Sequence, residues 1–220
     1  MINTFLNTLK QYHWDFKSTE PYSILDIGSR DCEQALEFAV AFPTAQIYAF
    51  ECNPATIPIC RQNAEKCGRV HFIEKAVNTF DGECTFYPTN KDKTVTTWKD
   101  GNPGASSLFI ANNQYTYETY VQDIITVPCA RIDTLVRELQ IPRPKLVWID
   151  LQGAEKIAFE SMGEYLREVE FIYLEITHKE MYQGQVLFPE MHHYLQSQGF
   201  ALITPVHTDK WFEDAIYKRQ

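Results

Sequence analysis

Four short apolar runs, each ending on a carboxylate or a glycine turn, limit most strongly what this chain can fold into. They are Tyr22–Gly28, Ala45–Glu51, Lys145–Asp150 and Val169–Glu175, with a shorter run at Val70–Glu74. Runs of this length and character read as buried strands. The segments between them carry helical spacing. Glu33 to Ala41 places Ala35, Leu36, Phe38 and Ala39 on one side and is stopped by Pro43. A second helix is predicted from about Ala55 to Cys67, closed by Gly68. Strands alternating with helices predict a parallel sheet built from right-handed crossovers.

The rest of the chain fits around that frame. Phe5, Leu6, Leu9, Tyr12 and Phe16 predict a short amphipathic helix over about Asn3 to Lys17. Residues 79–127 break the alternation, and a β-hairpin is expected at about Glu83 to Tyr87, followed by a long surface loop. Loops of such length in a compact domain are usually functional lids or disordered. A short strand at Ile124–Ala130 and a helix at Ile132 to Leu139 follow. Helices are predicted at Lys156 to Tyr165 and Pro189 to Gln198, and Phe200–Thr204 with Asp214–Lys218 reads as a closing antiparallel pair. The expected architecture is α/β, a seven-stranded, mostly parallel sheet with helices on both faces. The 220 residues fit one domain, 1–220.

Composition excludes several classes. A net charge of -9 argues against a nucleic-acid partner, which calls for a basic face. No apolar run approaches the roughly 18 residues a membrane helix needs, and the first residues do not read as a signal peptide. The six cysteines are irregularly spaced and form no C-x-x-C pair, which suits reduced core thiols in a cytoplasmic protein. A soluble enzyme with a small-molecule partner is expected, a homo-oligomer being compatible with the same composition.

The candidate site lies at the strand ends. In open α/β sheets, ligands bind outside the carboxyl ends of the strands, where Asp26-x-Gly28, Glu51, Asp150 and Glu175 fall. A glycine after the first strand permits a sharp turn and a close ligand. A carboxylate ending the second strand, about twenty residues on, can accept hydrogen bonds from two ribose hydroxyls. A dinucleotide-binding G-x-G-x-x-G is absent, because Ser29, Arg30, Asp31 and Cys32 follow Gly28. S-adenosyl-L-methionine has no pyrophosphate to seat, so the pattern favours it over NAD.

Ile24–Asp31, Ala49–Pro54, Ala130–Leu135 and Trp148–Glu155 together resemble the ordered motifs of the FkbM-type methyltransferases, and Gly104–Phe109 is similar to another segment of that family. The resemblance covers about residues 22–218. It implies a class I, Rossmann-like methyltransferase fold, S-adenosyl-L-methionine as cofactor, and O-methylation of a hydroxyl on a small molecule, sugar or glycan. It implies that Asp26, Gly28, Ser29, Arg30 and Asp31 form the first cofactor loop, that Glu51 holds the ribose, and that Asp150 lies beside the methionine end. Two positions depart from the family pattern. Cys32 stands where glycine is common and is expected to narrow the methionine pocket. Gln152 stands where glutamate is frequent.

Methyl transfer to an alcohol needs alignment and a proton acceptor. Asp150, Glu175 and His178 are the candidate catalytic residues. Glu155 reads equally as part of a helix cap, and Asp150 as a cap for a helix beginning near Gly153. Asp150, Glu175 and His178 have the chemistry of a magnesium or manganese site, but their spacing is not diagnostic and no metal is expected. His192 and His193, adjacent on a helix, face different directions. Tyr115, Tyr117 and Tyr120 read as a substrate lid or as core packing, and Trp98 and Trp211 as rings able to stack on a sugar. Two other readings stand beside this one: an NAD-dependent oxidoreductase, and a methyltransferase-like binding subunit without activity.

Overall fold

In the computed structural model, which describes residues 2–16 and 18–220, the buried apolar runs are strands and the periodic segments are helices on both sides of them. In chain order the elements are α1 (Ile2–Gln11), β1 (Ser23–Ile27), α2 (Glu33–Ala41), β2 (Gln46–Phe50), α3 (Ile57–Ala64), β3 (Val70–Ile73), β4 (Ala76–Val77) and β5 (Gly82–Phe86). They continue with β6 (Ile125–Ala130), α4 (Ile132–Glu138), β7 (Pro144–Ile149), α5 (Glu155–Ser161), β8 (Phe171–Thr177), α6 (Phe188–Ser197), β9 (Phe200–Leu202) and β10 (Phe212–Arg219). The main sheet has seven strands in the order β3-β2-β1-β7-β8-β10-β9. All neighbours run parallel except β10, which is antiparallel to both β8 and β9.

Each face of the sheet buries a separate core. Leu25, Ile27, Phe50, Val147, Ile149 and Leu174 pack with residues of α4, α5 and α6. Ile24, Ile47, Ala49, Leu146, Trp148 and Tyr173 pack with residues of α1, α2 and α3. The alternation of residues between the two sets is the period of a strand covered on both sides. Trp148 and Tyr173 stack at 3.5 Å between centroids, and Phe5 of α1 meets both rings edge-on. Helix α1 is thereby tied to the centre of the sheet.

Three expectations change. Helix α1 stops at Gln11, because His13 takes a left-handed φ of 57° and the Trp14 N–H closes on the Leu9 carbonyl at 3.0 Å. Lys17, the expected last helical residue, lies outside the described residues. The strand at Glu83–Tyr87 is not half of a local hairpin. It is β5, which pairs antiparallel with β6 about forty residues on, in a three-stranded sheet of order β4-β6-β5. Finally, the helix expected over Lys156 to Tyr165 is α5 followed by a 3₁₀ segment, Gly163–Glu168. The break falls where Gly163 adopts a φ of +54° against the Asp133 carboxylate.

Candidate active site

Register builds the site. Ile27, Phe50, Ile149 and Leu174 lie in one row across β2, β1, β7 and β8. Gly28, Glu51, Asp150 and Glu175, each the next residue of its chain segment, therefore form the following row at the carboxyl edge. Asp214 of β10 pairs with Glu175 and extends it. On either side of β1 the chain winds outward in opposite directions, so this edge is the topological switch point where open α/β sheets leave a crevice.

Gly28 makes the crevice possible. Its φ is +83°, and a β-carbon there would lie 1.9 Å from the Asp150 carbonyl oxygen. Only glycine allows the β1 turn and the end of β7 to approach so closely. Arg30 and Cys32 continue the turn with φ values of 57° and 60°. The coil aims the Arg30 N–H at Glu51 Oε2, 3.0 Å away. Glu51 Oε1 accepts the N–H groups of Cys52 and Asn53, both at 2.7 Å. Burial raises its pKa, against the three N–H groups that favour the charged form. Of a carboxylate's roughly four acceptor sites, about one stays open to a ligand. The expectation of two ribose hydrogen bonds is accordingly reduced to about one.

A cavity of about 430 Å³ opens on this row, within the range of small-molecule sites. Its wall includes the apolar Phe50, Cys52, Ala76, Val77, Phe86 and Leu108 and the charged Asp150, Glu175, Glu118 and Arg30. The roof is the segment 98–108. The Asn53 side chain donates to Ser106 Oγ at 3.1 Å, Ser107 Oγ donates to the Gln152 carbonyl at 2.8 Å, and the Tyr182 hydroxyl donates to the Ala105 carbonyl at 2.8 Å. Arg30 pairs with Asp100 at 3.1 Å and lies over the Trp98 ring at 4.6 Å.

The fit to S-adenosyl-L-methionine rests on this wall. The apolar side chains suit an adenine, the Glu51 carboxylate with an open acceptor position suits a ribose hydroxyl, and the other carboxylates of the wall suit a sulfonium and an ammonium.

Asp150 and Glu175 both reach the cavity, and Gln152 holds them together. Its Nε2 donates to Asp150 Oδ1 at 2.7 Å and lies 3.5 Å from Glu175 Oε1, while its Oε1 is 3.0 Å from the Tyr182 hydroxyl. Gln152 has a left-handed φ of 52°, unusual for a residue with a side chain. Burial first, then Asp150, Glu155 and Asp214, raise the Glu175 pKa well above the ordinary carboxylate range. Asp150, though exposed at the open side of the cavity, is raised by desolvation among its neighbours and by Asp214, against the Gln152 amide. Asp150 is not the helix cap weighed above. Helix α5 starts at Glu155 with Ala154 at its N-cap. Glu155 itself is buried and accepts the Leu151 and Gly153 N–H groups at 2.9 and 3.2 Å, so it fastens the turn carrying Asp150 and Gln152.

Other candidates lie elsewhere. Asp26 is buried two rows below, where it accepts Ser29 Oγ at 2.5 Å, and burial pushes it up to about 7. Asp31 accepts the Glu33 N–H at 3.0 Å at the start of α2. Asp26, Ser29 and Asp31 support the first turn without lining the cavity. Cys32 does not narrow the pocket, because its side chain is buried in the core that α2 and α3 cover. His178 faces Glu213, with Nε2 3.0 Å from Oε1, and is absent from the cavity wall. Among the described residues, no three His, Cys, Asp or Glu side chains are placed to hold a metal. Tyr115 and Tyr120 line the cavity while Tyr117 is exposed. Lys75, Phe86, Met181, Tyr182 and Phe212 escaped the sequence reading, because they come from elements whose place against the strand edge is set by tertiary packing.

The chain matches the methyltransferase FkbM domain over residues 26–202. It is 31% identical over 165 residues to the 2-O-methyltransferase NoeI of Sinorhizobium fredii, covering 74% of this chain and 66% of that protein. It is 24% identical over 152 residues to the hexuronic acid methyltransferase AglP of Haloferax volcanii, covering 69% of this chain and 54% of that protein. The matched part thus spans just under two thirds of the first relative's length and about half of the second's. The magnesium protoporphyrin IX methyltransferase of Synechocystis, solved with bound SAM, shares the fold with a TM-score of 0.50 at 9% identity, covering 100% of this chain and 78% of that one. With the family domain matched over most of its length and the seven-stranded sheet in place, the chain belongs to the FkbM methyltransferase family and has the class I methyltransferase fold.

Proposed function

We propose that the protein transfers a methyl group from S-adenosyl-L-methionine to a hydroxyl of a sugar-type acceptor. The observation that carries this reading is the single row Gly28, Glu51, Asp150 and Glu175 opening on one roofed cavity, in a chain of this family. The names of the two relatives, a 2-O-methyltransferase and a hexuronic acid methyltransferase, favour a sugar as acceptor.

The bound cofactor supplies an electrophilic methyl group on a sulfonium. The chain's own residues do the rest. Glu51 accepts a ribose hydroxyl, and the Gly28–Arg30 turn borders the methionine end. The roof at 98–108 excludes water. Asp150 and Glu175 orient the acceptor hydroxyl, and the ionised member of the pair takes its proton. Gln152 keeps the two carboxylates side by side. His178 has no part in this scheme. No helix among the described residues is long and apolar enough to cross a membrane. The six free cysteines favour a reducing compartment, the cytoplasm.

Asp150→Asn tests the reading. Calorimetry first checks that the parent protein binds S-adenosyl-L-methionine. Melting temperature and transfer of labelled methyl to a panel of sugars are then measured for both proteins. The expected outcome is an unchanged fold and turnover lower by about 10² or more. Parent-like turnover in a stable variant would remove Asp150 from the chemistry.

A further inference from the structure

Among the described residues, five of the ten large apolar side chains that stand exposed belong to one segment: Val95, Trp98, Ile110, Tyr117 and Ile124. That segment, residues 95–124, includes the 98–108 roof of the cavity. Two of the five are aromatic and stand at its mouth. Trp98 lines the cavity yet is 50% exposed, and Tyr117 is 75% exposed. Both are held in place. The Arg30 guanidinium lies over the Trp98 ring, 4.6 Å from its centroid, and the residue is half exposed. Tyr117 rests against Tyr115 at 5.4 Å between centroids, and Tyr115 lines the cavity and meets Trp211 edge-on at 5.5 Å. Beneath them a single bridge joins the two arms of the segment, Val95 and Thr119 exchanging both backbone hydrogen bonds at 2.9 and 3.0 Å.

A line of rings therefore leads from the cavity wall at Tyr115 to Tyr117 outside it, with Trp98 also at the mouth. Glu118 and Asn102, bonded to each other at 3.0 Å, lie in the same segment, as do Asp100 and Thr116. Separate rings among hydrogen-bonding groups do not make the continuous apolar surface that a lipid or a stable protein partner covers. They suit a ligand that is itself amphipathic in each unit. A pyranose has this character: an apolar C–H face for a ring and hydroxyls around its edge.

Resting on the O-methyltransferase reading above, we infer that Tyr117, with Trp98, forms an outer subsite for the second sugar of an oligosaccharide acceptor whose terminal sugar enters the cavity. The preferred substrate is then a glycan chain and not a free monosaccharide.

The test uses the whole protein, labelled S-adenosyl-L-methionine and a panel of defined monosaccharides with the di- and trisaccharides that contain them. The result expected is a kcat/KM for the best oligosaccharide at least about tenfold above that of its terminal monosaccharide. Tyr117→Ala should erase the advantage by raising KM for the oligosaccharide. It should leave monosaccharide transfer and cofactor binding unchanged. Tyr117→Phe, which keeps the ring, should restore the advantage. Saturation-transfer NMR with the same oligosaccharide and no cofactor gives a readout independent of turnover, and the signal from its second sugar should vanish in Tyr117→Ala. Equal transfer to mono- and oligosaccharides, or an advantage that survives Tyr117→Ala, overturns the outer subsite alone. Cofactor binding without transfer to any sugar overturns the sugar-methylation reading itself, and the subsite with it.

Discussion

Glu51 shows how far one side chain can be committed before a ligand arrives. Three backbone N–H groups, from Arg30, Cys52 and Asn53, already occupy it. Its removal would orphan all three, so Glu51→Ala mixes ligand loss with damage to the turn. Glu51→Gln keeps the size and one acceptor oxygen, which can still take the Cys52 and Asn53 N–H groups, and gives up the bond to the Arg30 N–H together with the charge. It is expected to weaken S-adenosyl-L-methionine binding by on the order of 1.5–3 kcal/mol, about ten- to a hundredfold, with a smaller fall in melting temperature than Glu51→Ala. Unaltered affinity by calorimetry would place the ribose elsewhere. Gln152 makes the complementary point. A glutamate there would add another carboxylate beside Asp150 and Glu175, where the amide instead donates toward both.

At the scale of elements, the turn between β7 and α5 governs the site, and Glu155 governs the turn. Its carboxylate is buried under the two N–H groups it accepts, and burial holds its pKa up at about 7 from an ordinary value of 4.5. The native state therefore keeps this proton to higher pH than the unfolded chain does. The sign follows: the group lowers stability as pH rises from about 4.5 to about 7, and the loss is complete above that. In Glu155→Gln the charge cannot form. Whatever the offset between variant and parent at pH 4.5, the variant should gain on the parent across that window, by on the order of 2–3 kcal/mol. Denaturant melts at several pH values read this directly. A constant difference from pH 4.5 to 8 would show that burial of the Glu155 charge carries no such penalty.

The whole molecule divides into a rigid sheet and an inserted cover. The 91–120 segment contributes Trp98, the 102–108 stretch, Tyr115, Glu118 and Tyr120 to the cavity. It is held mostly by side-chain bonds and single bridges, such as Tyr87 with Ser107 and Val95 with Thr119. Segments with few ladder bonds open locally at small free-energy cost. Amide exchange over 91–120 is expected to slow when S-adenosyl-L-methionine and an acceptor analogue are bound together, while the β1, β7 and β8 amides stay protected throughout. Exchange in 91–120 that ligands leave unchanged would mean that the cover does not close on them.

The sequence by itself determined the sheet and its functional edge. Apolar runs such as Leu146–Ile149 have to be buried, and a strand buried on both faces needs helices on each side. The carboxylate or glycine that ends each run then falls at the edge where the chain leaves the core. Gly28, Glu51, Asp150 and Glu175 were legible for that reason. What only the tertiary structure decided is where side chains point and what lies over the edge. Asp31 and His178 sit near the same strand ends, but a backbone N–H and Glu213 engage them. Cys32 follows Gly28 closely and still turns into the core, because the left-handed φ values at Gly28, Arg30 and Cys32 set its direction. Strand β5 found its partner in β6 across a long insertion, a pairing that local periodicity does not encode. The roof and the aromatic mouth depend on that pairing, since hydrogen bonds from Asn53, Ser107 and Tyr182 join segments far apart in sequence.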